Sequence, residues 1–157
     1  MDMNNVKSIY DNSVGKEVKK IQDSNGNVIW RKNLFLGFNS PWCCNFSISI
    51  ANGNMASNGG ERTTYFFKVK PNTTYRYTAI TSGDRFAVYT LTVEHDTPPS
   101  YQREQIPYND TVVNIIKNNN YDASITDYTF TTGPNDKMVY IYFALNTKPT
   151  GVRIVEV

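Results

Sequence analysis

The chain's one histidine, His95, stands between Glu94 and Asp96. A carboxylate and an imidazole are two members of a hydrolytic triad, which also needs a nucleophile. No serine or cysteine motif accompanies them, and neighbours along a strand point to opposite faces. His95 therefore reads as a polar strand end opening into a loop. Glycoside hydrolysis needs two carboxyl groups flanking a cleft. Glu61, Asp84, Glu94 and Asp96 carry such groups, with nothing in their spacing to pair them. Asn58-Gly59-Gly60-Glu61 lacks the lysine and the strand-to-helix setting of a phosphate loop. The two cysteines, Cys43 and Cys44, are adjacent. Adjacency disfavours a disulfide, and two thiols with one imidazole do not make a zinc site. A small buried hydrophobe is the reading for one or both. A structural calcium would need roughly six to eight oxygens from several loops. Asp84, Asp96 and Asp110 are loop acids but follow no EF-hand pattern. No catalytic residue, metal-ligand set or cofactor is expected.

The chemistry that stands out is aromatic. Eleven Tyr, eight Phe and two Trp make 13% of the chain, enough to equip a sugar-binding surface. Sugar C–H faces stack on aromatic rings, and sugar hydroxyls bond to Arg, Asn and Asp. Trp42, in the loop Ser40-Pro41-Trp42, is the first candidate platform for a glycan. Tyr101 and Tyr108 come next, with Arg62, Arg85 and Arg103 as polar partners. The competing role for these rings is packing, because Tyr and Phe are good strand residues. Trp30 is assigned to packing within the N-terminal segment.

The elements that would position these groups are strands. The 157 residues amount to one domain with a small appendage. No segment shows a clean helical period. Residues 1–32 read as a small β-meander of three or four strands. In it Val6-Lys7-Ser8-Ile9 recurs as Val18-Lys19-Lys20-Ile21, and Asn25-Gly26 signals a hairpin. From residue 33 to 157, strands are expected at 34–38, 46–50, 63–69, 74–80, 85–93, 112–117, 125–131, 138–145 and 152–157, with a proline-containing loop at 94–110. The 138–145 run is apolar throughout, as in a strand covered on both faces. Loops as long as 94–110 are usually functional or flexible. The fold class expected is all-β, a jelly-roll-like antiparallel sandwich behind the small meander.

Charge narrows the partners. Sixteen basic and fourteen acidic residues leave a net +2, which makes no case for nucleic acid or an anionic membrane. The dense patch Lys16, Lys19 and Lys20, broken by Glu17, reads as a solvated strand face. No stretch is long and apolar enough to span a bilayer, and the first residues lack a signal-peptide layout. Heavy use of Asn and little Ala fit an AT-rich genome.

Phe67-Lys68-Val69-Lys70-Pro71-Asn72-Thr73-Thr74-Tyr75 resembles the strand-turn-strand of carbohydrate-binding-module-like jelly rolls. Tyr128-Thr129-Phe130-Thr131-Thr132-Gly133-Pro134, the following Val139-Tyr140-Ile141-Tyr142-Phe143, and the opening Asn33-Leu34-Phe35 are similar to other parts of those domains. The segment from Val6 to Trp30 resembles short β-units at the front of minor structural, baseplate and tail-fibre proteins of phages of Gram-positive bacteria. The 94–110 insertion departs from the pattern. The resemblance implies a virion protein, made in the host cytoplasm without a signal peptide. It implies a jelly roll that recognises cell-wall polysaccharide, or else a purely structural virion subunit. It further implies an N-terminal unit that attaches to other virion proteins, and a homo-oligomer.

Overall fold

Alternating and fully apolar β-branched and aromatic runs set the strands, and Gly, Asn and Pro set the turns between them. A computed structural model describes the chain outside residues 1–8, 12–15, 19, 27, 60–61, 120–124 and 145; at 9–11, 16–17, 28–30, 112–114 and 117–119 it describes the backbone alone. The first copy of the N-terminal repeat, at 6–8, the carboxylate Glu61 and the packing expected of Trp30 lie outside that description.

The N-terminal segment holds four short strands in two separate antiparallel pairs. β1 (Ile9–Asp11) pairs with β2 (Lys16–Val18), and β3 (Lys20–Gln22) with β4 (Val28–Arg31). The turn of the second pair is the expected one. Gly26 takes φ +82, and Asp23 accepts from the Asn25 and Gly26 amides at 2.9 and 3.0 Å.

The main body follows with β5 (Cys43–Cys44), β6 (Phe46–Ile48), β7 (Met55–Asn58), β8 (Thr63–Lys68), β9 (Thr74–Thr78), β10 (Phe86–Leu91), β11 (Val112–Asn119), β12 (Asp127–Thr131), β13 (Met138–Ala144) and β14 (Arg153–Glu156). A five-stranded sheet runs β11-β10-β13-β8-β5, and a three-stranded sheet runs β12-β9-β14. Every pairing is antiparallel, and the pairings nest: β10 with β11, β9 with β12, β8 with β13. That is one long hairpin whose tip is the segment 92–111. Wound up so that β10 also meets β13, it becomes a jelly-roll-like sandwich.

The two sheets close on an aromatic core. Tyr65, Phe67, Phe86, Val88, Ile141 and Phe143 of the large sheet meet Tyr75, Tyr77, Phe130 and Ile154 of the small one. Each such fully buried side chain contributes about 1.5–3 kcal/mol. The large sheet is covered on its other face too. Phe66, Ala87, Tyr89, Leu91, Met138 and Tyr140 lie under Phe46, Ile48 and Met55 of the β6–β7 hairpin and under Tyr101, Ile106 and Tyr108. Buried phenols need acceptors. Tyr140 donates to the Gly53 carbonyl at 2.9 Å and Tyr89 to that of Ile50 at 3.2 Å, both in the β6–β7 turn. Double coverage explains why all of β10 and β13 is buried.

One local expectation changes. Residues 34–38 form no strand: the Phe35 and Leu36 amides donate to the Asn33 and Tyr65 side chains, the Leu34 amide to the Ile154 carbonyl, and the Gly37 carbonyl accepts from the Ser40 amide. The 94–110 loop packs as a cover. The Glu104 amide donates to the Met55 carbonyl at 2.7 Å, and the Met55 amide to that of Gln105 at 2.8 Å. Cys43 and Cys44 fall on opposite faces of β5, one against each core. Burial pushes their thiols up, to about 11 and about 12.

Candidate functional site

β8 is almost an edge strand. β5 pairs only with Thr64 and Tyr65, and beyond it the segment 32–38 crosses from one sheet to the other as a strap. Asn33 clamps one end. Its Oδ1 accepts from the Phe35 amide at 3.0 Å and the Ile154 amide at 2.9 Å, and the Leu34 amide donates to the Ile154 carbonyl at 2.7 Å. Tyr65 clamps the other end. Its hydroxyl donates to the Leu34 carbonyl at 2.7 Å and accepts from the Leu36 amide at 3.1 Å. Phe35 fills the gap beneath, 4.8 Å from the Tyr65 ring and 5.8 Å from that of Phe143.

Two cavities flank this strap. The larger, about 540 Å³, is lined by Lys20, Arg31, Lys32, Lys68, Lys70 and Glu156 over a floor of Leu34, Val69, Tyr75 and Val157. The smaller, about 300 Å³, shares Lys32, Leu34 and Lys68 and adds Leu36, Trp42, Tyr65, Phe66 and Phe67. Lys32, Leu34 and Lys68 thus stand between a cationic cavity and an apolar one, and the two together are called the groove below. Both volumes suit small-ligand sites, which run from about 300 to 1,000 Å³.

The charges are arranged around Glu156. Lys70 Nζ lies 2.7 Å from both of its carboxylate oxygens, and Arg31 bonds to its backbone carbonyl. The bond to Glu156 holds the Lys70 ammonium above its ordinary pKa. Lys68 is raised by Asp96 first and then Glu94, at 2.6 and 2.7 Å. These pairs are exposed, and such pairs are worth only about 0–1 kcal/mol. A ligand anion can therefore replace them at small cost. The lining supplies charge, hydrogen-bond donors and apolar surface, which are the ingredients of recognition.

Of the six residues proposed from sequence, the groove takes one, Trp42. Half-buried, Trp42 packs against both cores, and its carbonyl accepts from the Phe66 amide at 3.0 Å. Arg62 and Arg85 come together at the opposite end of β8, beside Tyr142. Both act on buried Tyr142, whose hydroxyl burial raises and the arginines lower. Tyr101 lies over Phe46 and donates to the Ala56 carbonyl at 3.3 Å. Tyr108 stacks on His95 with ring centroids 3.7 Å apart and donates to the Thr97 carbonyl at 2.6 Å. Arg103 is exposed beside Glu104 at 3.3 Å.

Sequence reasoning missed the cationic end and the partner of His95. That partner is Asp110, not the neighbours Glu94 and Asp96. The signal was topological: His95 opens the 94–110 loop and Asp110 closes it. The loop acids Asp84, Asp96 and Asp110 bond separately, to Asn146, Lys68 and His95. Among the described residues no group of three or more His, Cys, Asp or Glu side chains is gathered to hold a metal ion.

No protein-family model, curated protein or solved structure matches this chain. The class that the fold defines is a nearly all-β antiparallel sandwich, jelly-roll-like and not a barrel.

Proposed function

We propose that this protein is a non-enzymatic phage virion module that recognises a cell-wall glycan of a Gram-positive host through the groove beside β8. The observation that carries the reading is the groove itself. Its two cavities set an indole, Trp42, and a bank of hydrogen-bonding cations on either side of Lys32, Leu34 and Lys68. Copies repeated on a particle would turn weak sites into firm attachment, with gains of about 10²–10⁴ from linkage alone. The N-terminal strand pairs would hold the module to other virion proteins, in a homo-oligomer.

The test is binding of fluorescently labelled protein to intact cells and to extracted wall polysaccharide. Trp42→Ala is expected to weaken binding about tenfold, the loss typical of an anchoring aromatic. Trp42 also packs against the cores, so Leu36→Glu is the companion variant; Leu36 is 55% exposed and lines the same cavity. Saturable binding that survives both substitutions would remove the groove from the reading. No binding to cells or polysaccharide, even for a multivalent display, would remove the glycan.

The alternative is a purely structural virion subunit. Concentration-dependent self-association without affinity for wall material would select that role.

A further inference from the structure

We infer that the groove's ligand is an anionic polysaccharide, its phosphate or carboxylate seated beside Lys70 and its adjoining sugar ring against Trp42. The inference rests on the glycan reading above and adds the charge of the ligand. Three observations lead to it.

The first is segregation of charge. The chain carries a net +2 over 157 residues, and the larger cavity gathers five cations, Lys20, Arg31, Lys32, Lys68 and Lys70, against Glu156 in its lining and Glu94 and Asp96 on Lys68. These cations come from both strands of the N-terminal pair, the strap and the end of β8. Only the folded arrangement concentrates them, and a concave surface lined by one sign of charge attracts counter-charged ligands. The second is availability. Lys68 and Lys70 are held by carboxylates at ion-pair distance, with the lysine side chains 43% and 53% exposed. Glu156 thus occupies the place an incoming anion would take. The third is continuity. Lys32 and Lys68 line both cavities, so a saccharide chain laid across them can present its charge to the lysines while a ring meets the indole. A single-stranded nucleic acid fits less well, because successive bases need a row of aromatic platforms. The groove offers one tryptophan, and Tyr65 is committed to the strap.

The experiment titrates the full chain with four probes: poly(glycerol phosphate), polygalacturonate, neutral dextran, and a single-stranded oligonucleotide. Each is run at low and high salt, since screening shortens from about 10 Å at 0.1 M to about 3 Å at 1 M. The expected result is binding to at least one charged polysaccharide, weakened by salt. The double variant Lys20→Glu/Lys32→Glu is expected to lose about tenfold or more in affinity, and Glu156→Gln to gain about threefold, from charge at contact distance. Preference between the two charged polymers identifies phosphate or carboxylate, and either supports the inference. Binding of dextran with equal affinity, insensitive to salt and to the charge variants, would overturn the inference and leave the glycan reading standing. Tighter binding of the oligonucleotide than of any polysaccharide would overturn it in favour of nucleic acid. Binding to no probe, in a protein that also fails to bind wall polysaccharide, would overturn both.

Discussion

Removing one oxygen atom from the clamp tests how the groove is built. Tyr65 is 1% exposed, and its hydroxyl joins the Leu34 carbonyl to the Leu36 amide. Tyr65→Phe keeps the ring against Phe35 and Phe67, at 4.8 and 5.8 Å, and deletes both bonds. The exposed Leu36 amide can turn to water, while the half-buried Leu34 carbonyl is left poorly satisfied. A net hydrogen bond is worth about 1 kcal/mol and a stranded buried group costs about 1–3 kcal/mol, so the expected loss is about 2 kcal/mol. At this chain length that lowers Tm by roughly 4–8 °C. Equilibrium urea unfolding should show a lower midpoint at unchanged slope, because the surface exposed on unfolding is the same. Hydrogen exchange at Leu36 should speed up. A loss below about 0.3 kcal/mol, the size of a neutral surface change, with exchange at Leu36 unaltered, would refute the clamp.

Alkaline stability follows from the same burial. Burial raises the folded Tyr65 phenol from 10.0 to about 12, so its contribution is complete below pH 10 and is lost as pH rises towards 12. Tyr77, Tyr89 and Tyr140 are raised by the same cause. Stability should therefore fall steeply above pH 10, by up to about 1.4 kcal/mol per pH unit for each such tyrosine; a flat profile to pH 12 would contradict their burial. Asp110→Ala should free the ends of the 94–110 cover. A loss of about 1.5–3 kcal/mol, the worth of a charge-assisted bond, is expected together with protease cleavage inside the loop and unchanged groove binding. Unaltered proteolysis would show that the His95–Asp110 bond does not hold the cover. Cys43, with its thiol pushed from 9.0 to about 11, should alkylate at pH 8 about a hundredfold more slowly in the folded than in the urea-unfolded protein. Equal rates would place Cys43 in solvent. Gly83→Ala sets a Cβ 2.2 Å from the Phe143 carbonyl oxygen, a backbone clash expected to cost about 1–3 kcal/mol or more; a Tm within about 1 °C of wild type would show that the turn can shift.

Period and composition were enough where the environment of a strand is uniform. The alternation at 74–80 sends Tyr75 and Tyr77 inward, and the unbroken apolar run at 138–145 matches a strand buried on both faces. They failed where the same pattern serves two structures. Leu34-Phe35-Leu36-Gly37-Phe38 is apolar enough for a strand, yet Asn33 and Tyr65 take its backbone bonds and make it a strap. The 94–110 segment carries prolines and polar residues like an open loop, yet the outer face of the large sheet needs a cover. A clue was present: residues 63–67 and 86–91 show no polar face beyond threonine, so both sides of that sheet had to be enclosed.

The same requirement explains where the aromatic residues go. A sheet buried on both faces needs two sets of large side chains, and Tyr89 and Tyr140 fill the outer set as Tyr75 and Tyr77 fill the inner one. Tyr101 and Tyr108 are consumed in closing it. Trp42 differs because the chain around it passes the edge of the sheet, where it packs against both cores and stays half-buried. Cations at positions 20, 31, 32, 68 and 70 share no local motif, and of the basic cluster visible in sequence Lys20 lines the cavity. On the proposed reading, the strap sets recognition. Whatever holds residues 33–36 against β8 and β14 holds the cationic and apolar halves of the groove in register, and a clamp substitution remote from any charge should weaken binding as surely as removing a lysine.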